Sequence, residues 1–140
     1  MKQSQILANY RKTKASLRET RAARCEDCGA TTYLTPSHTI AQKDAKNYGT
    51  PELIWDELNI VIQCQDCHRI FEEGAHHQNS FTTRMAYTLS IINVLQGKIN
   101  EQTGPGKAQE LAQRYINKIK DPDVRARWSC HWDQLIDGEI

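Results

Sequence analysis

The chain has 140 residues with 39% hydrophobic and 25% charged side chains, the proportions of one ordinary soluble domain. No apolar run is long enough to span a bilayer, and the N-terminus lacks the apolar core of a signal peptide. These features exclude membrane-spanning and secreted classes as expectations and favour a cytoplasmic protein without a membrane partner.

The net charge of +1 conceals an asymmetry. Residues 1–24 carry seven basic side chains against Glu19 alone, so the remainder is acidic. Residues 4–23 are expected to form a helix capped by Ser4, with Ile6, Tyr10 and Leu17 near one face. The rest of that helix is a basic arm in which Arg11, Lys12, Lys14, Arg18, Arg21 and Arg24 are candidate contacts to a polyanion. The competing reading is a solvated helix face.

Residues 25–78 form the second expected region. Tyr33–Ala41 reads as extended with a break at Pro36, and residues 47–51 (NYGTP) carry turn chemistry inside a longer loop. Asn59 opens a short β-branched run into Cys64, and a helix is expected after Cys67.

Residues 79–140 read as helical. Phe81, Met85, Leu89, Ile92, Leu95 and Ile99 make one apolar stripe, which the TGPG sequence at 103–106 ends. Ala108, Leu111, Ala112, Tyr115, Ile116 and Ile119 make a second. Asp121 and Pro122 have the chemistry of a helix start, and Val124, Trp128, Trp132, Leu135 and Ile136 make a third stripe. Such stripes are core material rather than cofactor sites. Cys130, within the third helix, reads as a small buried apolar residue. Whether three stripes exceed one small core, and so favour a homodimer through these helices, is left open by the sequence.

Four of the five cysteines stand as Cys25-x-x-Cys28 and Cys64-x-x-Cys67. Each pair on a tight turn can direct two thiolates at one tetrahedral ion, so Cys25, Cys28, Cys64 and Cys67 are the expected ligands of a structural zinc. A disulfide framework or free thiols is the alternative. Thirty-six positions separate Cys28 from Cys64, which leaves room for an inserted functional loop.

That loop holds His38 and Asn59, and His68 directly follows Cys67. The order Cys-x-x-Cys, Ser-His38, Asn59, Cys-x-x-Cys-His68 resembles the HNH (His-Asn-His) endonucleases, whose core is a zinc-bound ββα-metal fold. SHTIAQ and DELNIVIQCQDCH look most like the NinG/Rap-type phage recombination nucleases. The resemblance covers about residues 24–75. It implies an α+β fold: a zinc-bound ββα-metal core between an N-terminal basic helix and C-terminal helices. It further implies that His38 is a general base, that Asn59 fixes the orientation of His38 by bonding backbone across the loop, and that His68 ligates a catalytic Mg2+ or Mn2+. Many HNH enzymes carry an acidic residue or histidine where this chain has Ser37. Glu72, one helical turn beyond His68, or His77 could replace that ligand, with His76 a further candidate.

The expected function is therefore a divalent-metal-dependent DNA endonuclease, with branched recombination DNA among its expected substrates. The alternative is a catalytically inactive, zinc-stabilised module that binds nucleic acid or protein.

Overall fold

A computed structural model of the chain describes residues 2–20, 24–73 and 79–137. Helix α1 (Gln3–Thr20) forms on the apolar face read from the sequence: Ile6 and Leu17 are buried and Tyr10 is half-buried. It begins one residue before Ser4, so Ser4 lies inside the helix and is not its cap. Side chains bind α1 to the segment between the cysteine pairs. Lys46 Nζ donates to Gln3 Oε1 at 3.0 Å, the Thr13 hydroxyl to the Trp55 carbonyl at 2.5 Å, and the Ser16 hydroxyl to Glu57 Oε1 at 3.1 Å.

The hairpin that follows is a two-stranded antiparallel sheet of β1 (Leu34–His38) and β2 (Ile60–Cys64). Its register pairs Leu34 with Cys64, Pro36 with Ile62, and His38 with Ile60. Contrary to expectation, Pro36 does not break β1. The reason lies on the other strand: Ile62 turns its amide and carbonyl away from β1, toward the Glu26 carboxylate and the Glu26 amide. Pro36 therefore occupies a position that asks for no N–H donor.

The segment between the strands is not a long irregular loop but a series of short helical turns. Helix α2 (Gln42–Asn47) leads to a 3₁₀ turn at Pro51–Ile54 and a second at Glu57–Asn59. Proline starts the first of these turns, where its fixed φ suits the first helical position. The Asp56 carboxylate caps the second by accepting from the Leu58 amide at 2.9 Å. Helix α3 (Gln65–Glu73) begins immediately after Cys64, earlier than the sequence suggested, so Cys67 and His68 stand in its first turn.

The chain divides into two units, Met1–His68 and Arg69–Ile140. In the second, α4 (Asn79–Thr103) packs on α5 (Lys107–Asn117), and both meet α6 (Pro122–Ile136). Phe81, Met85, Leu89, Ile92 and Ile99 of the first stripe are buried, as are Leu111, Tyr115, Ile116 and Ile119 of the second. Between α4 and α5 the chain turns at Gly106, whose φ of +79° is open to glycine at little cost. Asp121 caps α6, its Oδ1 accepting from the amides of Asp123 at 2.8 Å and Val124 at 3.2 Å. Trp132 is buried, but Cys130 is exposed. Two residues along a helix are about 200° apart, which turns Cys130 away from the Trp128–Trp132 face. The sheet and helices together make the chain broadly α+β and mostly helical. None of the described helices is long and apolar enough to cross a membrane.

Candidate metal centre and histidine site

Two backbone turns build the cysteine cluster. In the first, the Gly29 amide donates to the Cys25 carbonyl at 2.9 Å and the Cys25 amide to the Ala30 carbonyl at 2.8 Å. Gly29 closes this turn at φ +80°, where a side chain would be strained. In the second, Cys64 ends β2 and the Cys67 amide, in the first turn of α3, points at Cys64 Sγ from 3.5 Å. All four sulfurs lie within 4.8 Å of one another, and Cys28 Sγ is 3.7 Å from Cys64 Sγ. A tetrahedral zinc with Zn–S bonds of about 2.3 Å has sulfur–sulfur edges of about 3.8 Å, so the donor set fits that ion. The four cysteines could thus hold a structural zinc. His68 is not among the clustered ligand atoms.

Proton affinity differs sharply within the quartet. Burial pushes the Cys25 thiol up, but hydrogen bonds from the backbone of Cys64, Cys28 and Asp27 outweigh it and bring it down to about 7. Burial, with the neighbouring thiols, raises Cys67 far above the ordinary thiol range. A metal entering this site must displace the proton from Cys67, which couples its binding to pH.

His38 ends β1 on the opposite end of the hairpin from the Cys64–Leu34 pair. Its Nε2 is 2.8 Å from the Ile54 carbonyl oxygen. A carbonyl only accepts, so Nε2 carries the hydrogen, and the neutral ring keeps its lone pair on Nδ1. Burial lowers the pKa of His38, and the bond to Ile54 opposes that shift only in part. The Tyr10 ring and the imidazole meet in a T-shaped pair, with centroids 5.0 Å apart and planes at 63°. Ser37, adjacent on β1, faces the other side of the sheet; its buried hydroxyl has no hydrogen-bond partner among the described residues.

Asn59 is fully buried at the end of the second 3₁₀ turn. Its Oδ1 accepts from the Ile40 amide at 2.7 Å. Its Nδ2 donates to the Ile40 carbonyl at 3.0 Å and to the Leu53 carbonyl at 2.8 Å. One side chain thereby joins the exit of β1, the first 3₁₀ turn and the entry of β2. The Ile54 carbonyl that holds His38 follows Leu53 directly.

Of the basic residues singled out from the sequence, Arg11, Lys12 and Arg24 are exposed. Lys14 is half-buried, with Nζ 4.6 Å from the Tyr10 ring centroid. Arg21, His76 and His77 lie outside the described residues, as do the side chains of Arg18 and Glu72. Tyr10 was absent from the candidates. Its only signal in the sequence was a place on the apolar face of α1, which does not distinguish core from site.

A family model described as the Mut7-C RNAse domain matches residues 2–84. The chain belongs to this family. The matched span takes in α1, the hairpin, all four clustered cysteines and α3. Neither the curated proteins nor the solved structures gave a match. Membership overturns the resemblance to HNH endonucleases and, with it, the phage recombination likeness. The misreading has a physical origin. Paired thiolates flanking a loop satisfy zinc in many unrelated folds, and histidines close to them are common, so the spacing identifies a metal and not a lineage. What the family supports is nuclease activity in general, with a four-cysteine site suited to zinc.

Proposed function

We propose that the chain is a zinc-stabilised nuclease that hydrolyses phosphodiester bonds in RNA, with His38 as the general base. The observation that carries this reading is the bond between His38 Nε2 and the Ile54 carbonyl, which leaves Nδ1 as the proton acceptor. A base with a lowered pKa is unprotonated at neutral pH, as abstraction of a proton requires. In the reaction, Nδ1 takes the proton of the attacking water as its oxygen forms a bond to phosphorus. The bond from phosphorus to the 3′ oxygen breaks and that oxygen takes a proton from solvent water, leaving a 3′-hydroxyl and a 5′-phosphate. Asn59 acts at one remove, holding the backbone that carries the Ile54 carbonyl. His68 is the ring that would hold a Mg2+ or Mn2+, whose chemistry there is to offset the charge on phosphate. The exposed cations Arg11, Lys12 and Arg24 would add phosphate contacts along the substrate. RNA is favoured over DNA because the matching family is described as a ribonuclease domain.

The test is single-turnover cleavage of labelled single-stranded RNA, duplex RNA and duplex DNA across a Mg2+ and Mn2+ titration, with zinc content measured in parallel. His38→Ala should lower cleavage about 10²–10⁴-fold with little change in affinity. His68→Ala should be partly rescued by raising the divalent ion, and both variants should keep their zinc. Equal cleavage by His38→Ala and wild type would remove His38 from the mechanism. Faster cutting of DNA than RNA would return the substrate to the DNA expected from sequence.

A further inference from the structure

We infer that α1 completes the reaction centre: Tyr10 is a positioning residue that holds the His38 imidazole, and Lys14 binds the substrate phosphate beside it. The inference rests on the reading of His38 as base; it gives Tyr10 a role the sequence did not suggest and places the phosphate contact of Lys14, one of the candidate polyanion contacts, beside His38. Three contacts carry it. The Tyr10 and His38 rings pack in a T-shaped pair, with centroids 5.0 Å apart. Lys14, one helical turn on, has its Nζ 4.6 Å from the same ring. Its ammonium therefore lies no farther from the imidazole than those two distances laid end to end. The helix bearing both residues is docked, since Thr13, between them, donates to the Trp55 carbonyl at 2.5 Å, next to the Ile54 carbonyl that holds His38.

These contacts divide the work. The Ile54 carbonyl fixes one edge of the imidazole but leaves the ring free to swing about that bond. Tyr10 removes that freedom, so the Nδ1 lone pair keeps one direction. Lys14 meets the π face of Tyr10 and, among the described residues, no carboxylate. A ring attracts an ammonium without neutralising it, so the charge is held near the base yet remains available to an anion. The ligand chemistry that suits a fixed cation near a proton acceptor is a phosphodiester, one non-bridging oxygen on Nζ and its attacking water on Nδ1.

Two measurements independent of cleavage test this, alongside the kinetics. The first is the nitrogen NMR spectrum of the His38 ring in the zinc-loaded chain. All three proteins, wild type, Tyr10→Phe and Tyr10→Leu, should keep the Nε2–H tautomer that the Ile54 carbonyl sets. The Nδ1 signal should be narrow in wild type and Tyr10→Phe and broadened by ring motion in Tyr10→Leu, which keeps an apolar contact for α1. The second is the salt dependence of binding to a fluorescent single-stranded RNA oligonucleotide. Lys14→Met should reduce the log–log slope by about 1, and Lys14→Arg should restore it. In cleavage, Tyr10→Leu should lower kcat by about 10-fold or more at unchanged KM. Lys14→Met should raise KM by about 10-fold instead. A Tyr10→Leu variant with the wild-type Nδ1 linewidth and kcat would overturn the role of Tyr10. An unchanged salt slope and KM in Lys14→Met would overturn the phosphate site. Full activity in His38→Ala would defeat the underlying reading of the base, and the NMR and salt arms would still decide whether Tyr10 orders the ring and Lys14 meets phosphate.

Discussion

Replacing Asn59 by alanine tests the architecture that the proposed chemistry depends on. The side chain is fully buried and serves three backbone groups: the Ile40 amide, the Ile40 carbonyl and the Leu53 carbonyl. Alanine leaves all three without that partner in a place water does not reach. A buried polar group stripped of its hydrogen bond costs about 1–3 kcal/mol, with the single-donor amide at the upper end and the carbonyls at the lower. The expected destabilisation is therefore about 3–5 kcal/mol, a large share of the roughly 5–15 kcal/mol that holds a domain. Urea unfolding of the zinc-loaded chain gives the total, and hydrogen exchange at the Ile40 amide locates it. Exchange at Ile40 should accelerate, because its acceptor is gone. Asn59→Asp adds a sign test. It keeps an oxygen for the Ile40 amide but aims negative charge at two carbonyls, so at neutral pH it should be at least as unstable as alanine. Burial among acceptors raises that carboxyl's pKa, so stability should recover as pH falls through the raised value and the group gains a proton to donate. A loss below about 1 kcal/mol, with Ile40 exchange unchanged, would show that Asn59 does not tie these segments together.

Removing metal with a strong chelator, or replacing Cys64 by serine, should unfold the 25–68 region while the α4–α6 helices keep their circular dichroism, because structural zinc binding carries about 10–16 kcal/mol in small zinc peptides; an unchanged melt in metal-free protein would refute a structural role. His38 should give stability a pH dependence. Its folded pKa is lowered from 6.5, so the unfolded chain takes up the proton first. Stability should then fall as pH drops through 6.5 and level off below the folded value, and this part of the profile should vanish in His38→Gln. Asp121→Ala removes the acceptor for two α6 amides and should cost about 1 kcal/mol in thermal unfolding, whereas Asp121→Asn should cost little; equal losses would point to charge rather than the cap.

Several features followed from the amino-acid sequence because their causes are local. The apolar stripes of α4 and α5 repeat at the helical period, and the Asp121-Pro122 start of α6 needs only its own next residues. The four cysteines were readable as a set because each pair is made by one tight turn, and tetrahedral coordination asks for two pairs. What only the tertiary structure decided depends on groups that meet from afar. Pro36 stays in β1 because Glu26 occupies both backbone groups of Ile62. His38 owes its tautomer to a carbonyl, a group every residue carries and no sequence pattern marks. Tyr10 reaches His38 because side-chain bonds dock α1 on the segment around Trp55, and a residue on an apolar helix face gives no sign of its neighbour until that docking is known. The resemblance to HNH endonucleases failed for the same reason in reverse: the order of thiols and histidines along a chain reports which ligands are at hand, while lineage and site geometry are set by everything packed around them.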